Sequence, residues 1–305
     1  MKKLLLTAII VLNVFFANGQ QTPQFTQYMY NTISVNPGYA GSREALTVVG
    51  LHRDQWVGFS GGPVTNTLSI HSPLRNERIG VGFSYINDRL GYENFNYMYV
   101  DFSYNINITQ NTKLAFGVKG GFSYYNIDQN LFNNEEVYSD PYFQEKLNRW
   151  TPNVGAGLYL HQPKWYVGVS SPKLIENDYN KLGNYVALEQ SHFYGIAGYV
   201  FDLNKSGNIK MRPTALVKYT KGSPLSYDTT LSFLFNEKFW IGGAYRFEDS
   251  VGALVDFQIT KQMKLGYAYD YPISKIRPFT TGSHEIMIMF DFKFDNSKYK
   301  SPRYF

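Results

Sequence analysis

Apolar and polar residues alternate with a period of two along nearly the whole chain between positions 45 and 294, broken only by polar connections. Successive side chains of a strand point to opposite faces, so this pattern specifies strands with one apolar and one wet face, not helices. The one long apolar run, residues 4–16, follows Lys2 and Lys3 and precedes Ala17-Asn18-Gly19, a small-x-small cleavage pattern. Residues 1–19 therefore read as a secretory signal peptide, too short and wrongly flanked for a membrane anchor. An exported chain built of half-wet strands, with no second run able to cross a bilayer as a helix, is predicted to be an all-β protein. The expected form is a transmembrane antiparallel β-barrel crossing the outer membrane of a Gram-negative bacterium many times, in contact with outer-membrane lipid.

Composition agrees with that class. The 305 residues include 26 Tyr and 23 Phe, yet mean hydropathy is −0.31, the mixture given by aromatic girdles around a polar interior. There is no Cys, which excludes a lipid-anchored cysteine and a disulfide framework. Of the net charge of +5, the leader lysines supply two, leaving +3 spread without a basic block. Nucleic acid is not an expected partner.

Fourteen segments carry the alternation: 45–52, 65–71, 79–86, 95–106, 113–125, 153–161, 165–170, 191–203, 209–219, 227–235, 239–246, 251–259, 263–271 and 284–294. An even count suits a bacterial barrel, and so do the connections. The longer ones, 54–64, 126–152, 171–190 and 272–283, fall on one side by parity; the short ones, 162–164, 204–208, 236–238 and 260–262, fall on the other. The domain boundaries expected are a signal peptide at 1–19, a periplasmic or lumenal plug segment at 20–44, the barrel at 45–294 and a periplasmic tail at 295–305.

The strands also predict faces. Leu114, Phe116, Val118, Phe122 and Tyr124 should meet lipid, while Ala115, Gly117, Lys119, Gly121 and Ser123 face the lumen. By the same register Asp101, Lys119, Lys210, Arg212, Lys218, Lys264 and Asp270 collect inside, charges of both signs that suit a filled barrel or a hydrated wall. Inward positions are rich in glycine, among them Gly80, Gly82, Gly117, Gly157, Gly168 and Gly266. Glycine weakens a strand unless backbone approaches closely or the sheet bends. The segment 20–44 lacks any strand period and contains Pro23, Pro37, Gly38 and Gly41; its Tyr28, Met29 and Tyr30 are candidates to fill the interior.

Chemistry for catalysis is missing. His52, His71, His161, His192 and His284 have no metal-ligand spacing. Ser60 falls in a Gly-x-Ser-x-Gly match, Gly58-Phe-Ser-Gly-Gly62, but that stretch lies in a connection and opens no helix, so neither a hydrolase elbow nor a phosphate cradle is supported. The expectation is a non-enzyme with no cofactor and no metal. Arg53 could stack on Trp56 at the membrane surface, or the pair could anchor the first strand at the interface. At the other terminus Arg303, Tyr304 and Phe305 are candidate anchors for a periplasmic partner, with a frayed end as the alternative.

Several stretches together resemble the PorP/SprF outer-membrane proteins of the type IX secretion system and its gliding motility machinery. They are Gln24-Phe-Thr-Gln-Tyr-Met-Tyr-Asn31, Asn36-Pro-Gly-Tyr-Ala-Gly41, His52-Arg-Asp-Gln-Trp56 with Gly62-Pro-Val-Thr65, Gly266-Tyr-Ala-Tyr-Asp-Tyr271, Gly282-Ser-His-Glu-Ile286 and Pro302-Arg-Tyr-Phe305. The likeness covers nearly the whole chain after the leader. It marks Asn36, Pro37, Tyr39 and Gly41 as a candidate plug motif, and Arg53, Trp56, His284, Glu285, Arg303, Tyr304 and Phe305 as a candidate interface. It implies a non-enzymatic barrel that helps a secreted adhesin-like cargo reach the cell surface and contacts periplasmic and outer-membrane secretion components. Asn36-Pro37 is also similar to the Asn-Pro-Ala element of FadL-type barrels, with Gly38 departing from the alanine usual there. The alternative reading is accordingly a FadL-like transporter of hydrophobic small molecules, which would need an apolar lumenal pocket.

Overall fold

The structure is a computed structural model and describes residues 23–128, 131, 148–178, 188–292 and 304–305. Fourteen antiparallel strands form the wall: β1 (Leu46–Asp54), β2 (Val64–Pro73), β3 (Ile79–Leu90), β4 (Glu93–Asn107), β5 (Lys113–Ile127), β6 (Asn148–Gln162), β7 (Trp165–Lys173), β8 (His192–Tyr199, resumed at Phe201–Asp202), β9 (Ile209–Thr220), β10 (Ser226–Phe235), β11 (Phe239–Arg246), β12 (Ser250–Gln258), β13 (Met263–Pro272) and β14 (Ser283–Phe292). Each pairs with its sequence neighbours, and β1 pairs with β14 in the register Val49↔Met289, so the sheet closes on itself. Closure leaves no open edge, the condition for a sheet in a bilayer. The described residues contain only short 3-10 turns besides strands. β8 and β9 pair at Gly198↔Thr214 and again at Phe201↔Met211. Pro213, which has no N–H, lies at the interruption.

The predicted faces hold. Val118 is 57 % exposed on the lipid side while Lys119 is 3 % exposed inside. On β12, Val251, Val255 and Phe257 are exposed and Asp256 is buried; on β14, Ile286, Ile288 and Phe292 point out while Glu285, Met287 and Met289 point in. All seven lumenal charges expected from the register are buried. Phe294 and Lys293 lie outside the described residues.

Two strands extend well past their expected ends. β3 runs on to Leu90 and β6 starts at Asn148. The added rungs follow the long β4 and β5 and carry an asparagine ladder on the outer face, where Asn87 Nδ2 donates to Asn94 and Asn96, and Asn94 Nδ2 to Asn126. Amide side chains there support pairing after the apolar alternation has ended, so the sequence reads as loop. Connections sort as expected, with long ones such as 55–63 and 273–282 at the outer end and short ones such as 163–164 and 236–238 at the inner end. The exceptions are three short outer turns, at 91–92, 221–225 and 247–249.

The segment before β1 lies inside this ring. Gln24 Nε2 donates to Ser226 at the outer end of β10, and Thr26 meets Asp270 and Glu285 near the outer ends of β13 and β14. Further along, Tyr30 reaches Asp256, the Ile33 carbonyl accepts from Lys119, and Arg43 pairs with Asp291 at the inner end of β14. The chain thus descends the lumen from outer to inner mouth before turning up into β1. A start on the periplasmic side, as expected for residues 20–44, is corrected for the described part. β1 must begin at the inner end, so a segment that runs the lumen's length before it starts at the far end. The residues of the expected leader lie outside those described.

Candidate functional site

Residues 23–44 run through the lumen and meet inward-facing groups of the wall. Residues 32–34 and 37–39 form two 3-10 turns, the second opened by Pro37, whose fixed φ suits a first helical position. Asn36 caps it: Oδ1 accepts from Gly38 N at 2.9 Å while Nδ2 donates to the Leu158 carbonyl of β6 at 3.0 Å. One buried amide therefore fixes both the turn and its place on the wall. Tyr39 is wedged edge-on between His71 at 5.1 Å and Tyr159 at 5.5 Å. Gly41 has φ +73°, a conformation suited to glycine, and its N–H donates to His71 Nδ1.

The inward glycines make room for this segment. A Cβ on Gly80 would stand 2.1 Å from the Ala40 carbonyl oxygen, on Gly82 2.4 Å from Ile33, on Gly157 2.3 Å from Asn36 Oδ1 and on Gly266 2.2 Å from Gln27. Four others have a different cause: Gly121, Gly155, Gly242 and Gly252 would clash first with neighbouring strands or their side chains. The two explanations weighed for glycine, close approach and wall geometry, are thus both at work. At Gly38 itself an added Cβ would sit 3.0 Å from Tyr159 Cβ, so an alanine there would require its neighbours to shift by a few tenths of an ångström.

Buried charges tie the segment at both ends. Arg53 Nη1 lies 2.8 Å from Asp270 and 3.0 Å from Glu285, and also donates to Thr26 Oγ1 at 3.1 Å. Glu285 in turn accepts from the backbone N–H of Thr26 at 2.9 Å and of Gln27 at 2.8 Å. A buried ion pair is tolerable only when its lone pairs are met this way. In the middle, Arg212 donates to Tyr30 Oη at 2.9 Å and stacks on Trp240 at 4.1 Å.

The candidate interface does not come together as one surface. Arg53 turns into the lumen instead of onto Trp56, because position 53 has the inward parity of β1 and three oxygen partners wait there. Trp56 lies half-buried on the outer 55–63 connection, with its backbone N–H on Ser283 Oγ and its ring edge-on to Phe59. His284 is on the outer wall and shares a hydrogen bond with Tyr267 Oη at 2.7 Å, whereas Glu285, one residue on, is inside. Tyr304 and Phe305 are buried at the inner mouth, not exposed as docking anchors: Arg212 Nη1 donates to the Tyr304 carbonyl at 2.5 Å, and the Phe305 ring meets Tyr166 edge-on at 4.6 Å. The two aromatic rings gain from burial, and the Tyr304 main chain keeps a polar partner in Arg212. Arg303 lies outside the described residues. Arg212, Asp256 and Asp291, which also hold the segment, carry no signal in the sequence beyond inward parity.

A closed fourteen-strand antiparallel sheet with an apolar outer belt and a polar, charged interior defines an outer-membrane β-barrel. The sequence matches the family described as Type IX secretion system membrane protein PorP/SprF over residues 17–290, and the chain belongs to that family. It is an outer-membrane component of that system and not an enzyme. No curated relative matches it. Among solved structures it is similar to the CymD monoaromatic hydrocarbon channel, at TM-score 0.52 and 10 % identity over 90 % of this chain and 95 % of that one. It is likewise similar to the Ralstonia pickettii toluene transporter TbuX, at TM-score 0.50 and 11 % identity over 92 % and 97 %. At such identities the likeness is one of fold.

Proposed function

We propose that this barrel supports the secretion or surface display of a partner adhesin-like protein, and gliding motility with it, through contacts to periplasmic machinery, and that residues 23–44 act as its plug. Family membership carries the first part. The second is supported by the row of lumenal hydrogen bonds from Thr26 to Arg43, which occupies the path a solute would take. A barrel filled this way serves as a rigid scaffold that presents loops on one side and turns on the other.

A transporter of hydrophobic molecules is less well supported. The interior carries Arg53, Asp101, Lys119, Arg212, Asp256 and Glu285, all buried and fixed to partners, where an apolar ligand would need an apolar pocket. The fold shared with CymD and TbuX does not decide the matter, since one fold hosts many functions.

The outer connection 129–146, of which only residue 131 is among the described residues, is the proposed cargo-facing element because it is long and rich in Tyr, Asn and charged residues. Replacing it with a short Gly/Ser linker should leave barrel abundance unchanged and lower the partner adhesin on the cell surface. Normal display at normal barrel abundance would remove the loop from the mechanism; normal display in a strain lacking the whole gene would overturn the function proposed.

A further inference from the structure

Three neighbouring turns at the inner end of the wall, 203–208, 236–238 and 259–262, are fused into one rim by their main chains. Asn236 N donates to the Asn208 carbonyl at 2.8 Å, and Gln258 N to the Lys238 carbonyl at 2.7 Å. The middle turn is a tight two-residue hairpin: Asn236 and Glu237 have φ of 52° and 58°, and Lys238 N returns to the Phe235 carbonyl at 3.1 Å. Each turn carries one exposed lysine, Lys205, Lys238 and Lys261. Successive turns are two strand spacings apart, so the lysines follow the rim at intervals of about 10 Å.

The carboxylates close by are already taken, Asp202 by Lys164 and Lys210, and Glu237 by Lys210. Lys205, Lys238 and Lys261 pair with no carboxylate among the described residues. Elsewhere on the inner rim the turn after β4 carries no charge, and the turn after β2 sets Glu77 between Arg75 and Arg78.

A row of apolar side chains lies on the membrane side of these lysines. Phe235 pairs with Phe239, Phe239 with Phe257 and Phe257 with Leu265 across β10 to β13, and all four face outward, 37–51 % exposed. Outward rings near the strand ends of a barrel mark the edge of the hydrocarbon layer. Lys238 is one residue from Phe239, while Lys261 and Lys205 are each two residues from the outward Ile259 and Leu203. The wall thus passes from hydrocarbon to cation within one or two residues, which sets the ammonium groups at the depth of lipid phosphates.

We propose that this arc binds the phosphate of an anionic phospholipid of the periplasmic leaflet, whose acyl chains lie against Phe235, Phe239 and Phe257. An acidic soluble protein fits less well, because the rings beside the lysines face into the bilayer. The chain's own tail supplies no counter-charge: residues 293–303, outside the described residues, hold Lys293, Lys298, Lys300 and Arg303 against Asp295 alone. The site depends on the orientation of the wall and not on any cargo.

The test uses the full-length protein in uncharged maltoside micelles, with one fluorophore on the exposed rim position Gln262→Cys, since the chain has no cysteine of its own. Phosphatidylglycerol should give a saturable signal that weakens with salt, and phosphatidylcholine or inorganic phosphate none. Lys205→Gln, Lys238→Gln and Lys261→Gln together should weaken phosphatidylglycerol binding by about tenfold or more, with migration of the folded band unchanged. As many changes at the outer rim, Arg89→Gln, Lys221→Gln and Lys275→Gln, should leave binding as it was.

No saturation with phosphatidylglycerol, an equal response to phosphatidylcholine or inorganic phosphate, or an arc variant that binds as tightly as its parent would overturn the proposal. Equal loss in the outer-rim variant would overturn it by reducing the effect to net charge. Loss with Lys298→Gln, Lys300→Gln and Arg303→Gln, but not with the arc variant, would do so by giving the lipid to the tail. A polyglutamate peptide bound more tightly than phosphatidylglycerol would likewise replace the lipid with a protein partner.

Discussion

Gly117 of β5 and Gly38 of the lumenal segment pack backbone on backbone: a Cβ added to Gly117 would lie 2.0 Å from the Gly38 nitrogen. Nothing flexible is in the way, so neither partner can yield by turning a rotamer. Gly120 on the same strand points outward with open space around it. Gly117→Val should therefore destabilise by about 1–3 kcal/mol through overpacking, or expel the segment, while Gly120→Val stays near neutral. Thermal shift of the folded band on mild SDS gels measures both. Because parity alone makes Gly117 an ordinary lumenal position, Gly117→Ala looks harmless from sequence; the approach of Gly38 makes it a poor neutral control.

Register is tested on the neighbouring residue. Phe116 is exposed to lipid, where an arginine near the bilayer midplane of a barrel costs about 2–4 kcal/mol. Phe116→Arg should lower folded yield in liposomes well below Phe116→Leu. Equal yields would place residue 116 off the lipid face.

The outer-mouth cluster makes an asymmetric prediction. Arg53→Met leaves Asp270 and Glu285 facing each other without their cation, and breaking a buried pair in this way typically costs about 3–5 kcal/mol. Glu285→Gln still offers an oxygen to one of the two backbone N–H groups it now serves and leaves Arg53 with Asp270. Urea unfolding should find Arg53→Met the more damaging of the two; the reverse order would mean the arginine is not what holds that end.

How far these features can be read from sequence depends on whether they are periodic. Strand number, face and loop parity follow from alternation, which is set residue by residue, so Lys119 and Val118 are assignable without coordinates. The length of β3 and β6 is not, because Asn87 and Asn148 carry no apolar signal and rely on cross-strand partners. The inward turn of Arg53 was implied by the parity of β1, yet its adjacency to Trp56 suggested a surface stack. The path of residues 23–44 has no period at all, and only the glycines opposite hinted at it. An even strand count places Tyr304 and Phe305 on the periplasmic side, but their burial there depends on Tyr166 and Arg212, which are remote in sequence.

That terminal contact is itself measurable. A ring pair such as Phe305 and Tyr166 contributes about 0.5–1.5 kcal/mol beyond its buried area. A double-mutant cycle with Phe305→Leu and Tyr166→Leu should return a coupling of that order, and additive losses would mean the two rings do not meet.

The central claim is that the barrel is closed by its own residues 23–44. Single-channel recording in planar bilayers addresses it with two proteins, the intact chain and one lacking residues 23–43. The intact protein should give no steady porin-like steps, and the deletion should open discrete conductance in a barrel that still migrates as folded. Porin-like conductance in the intact protein, unchanged by the deletion, would contradict the account.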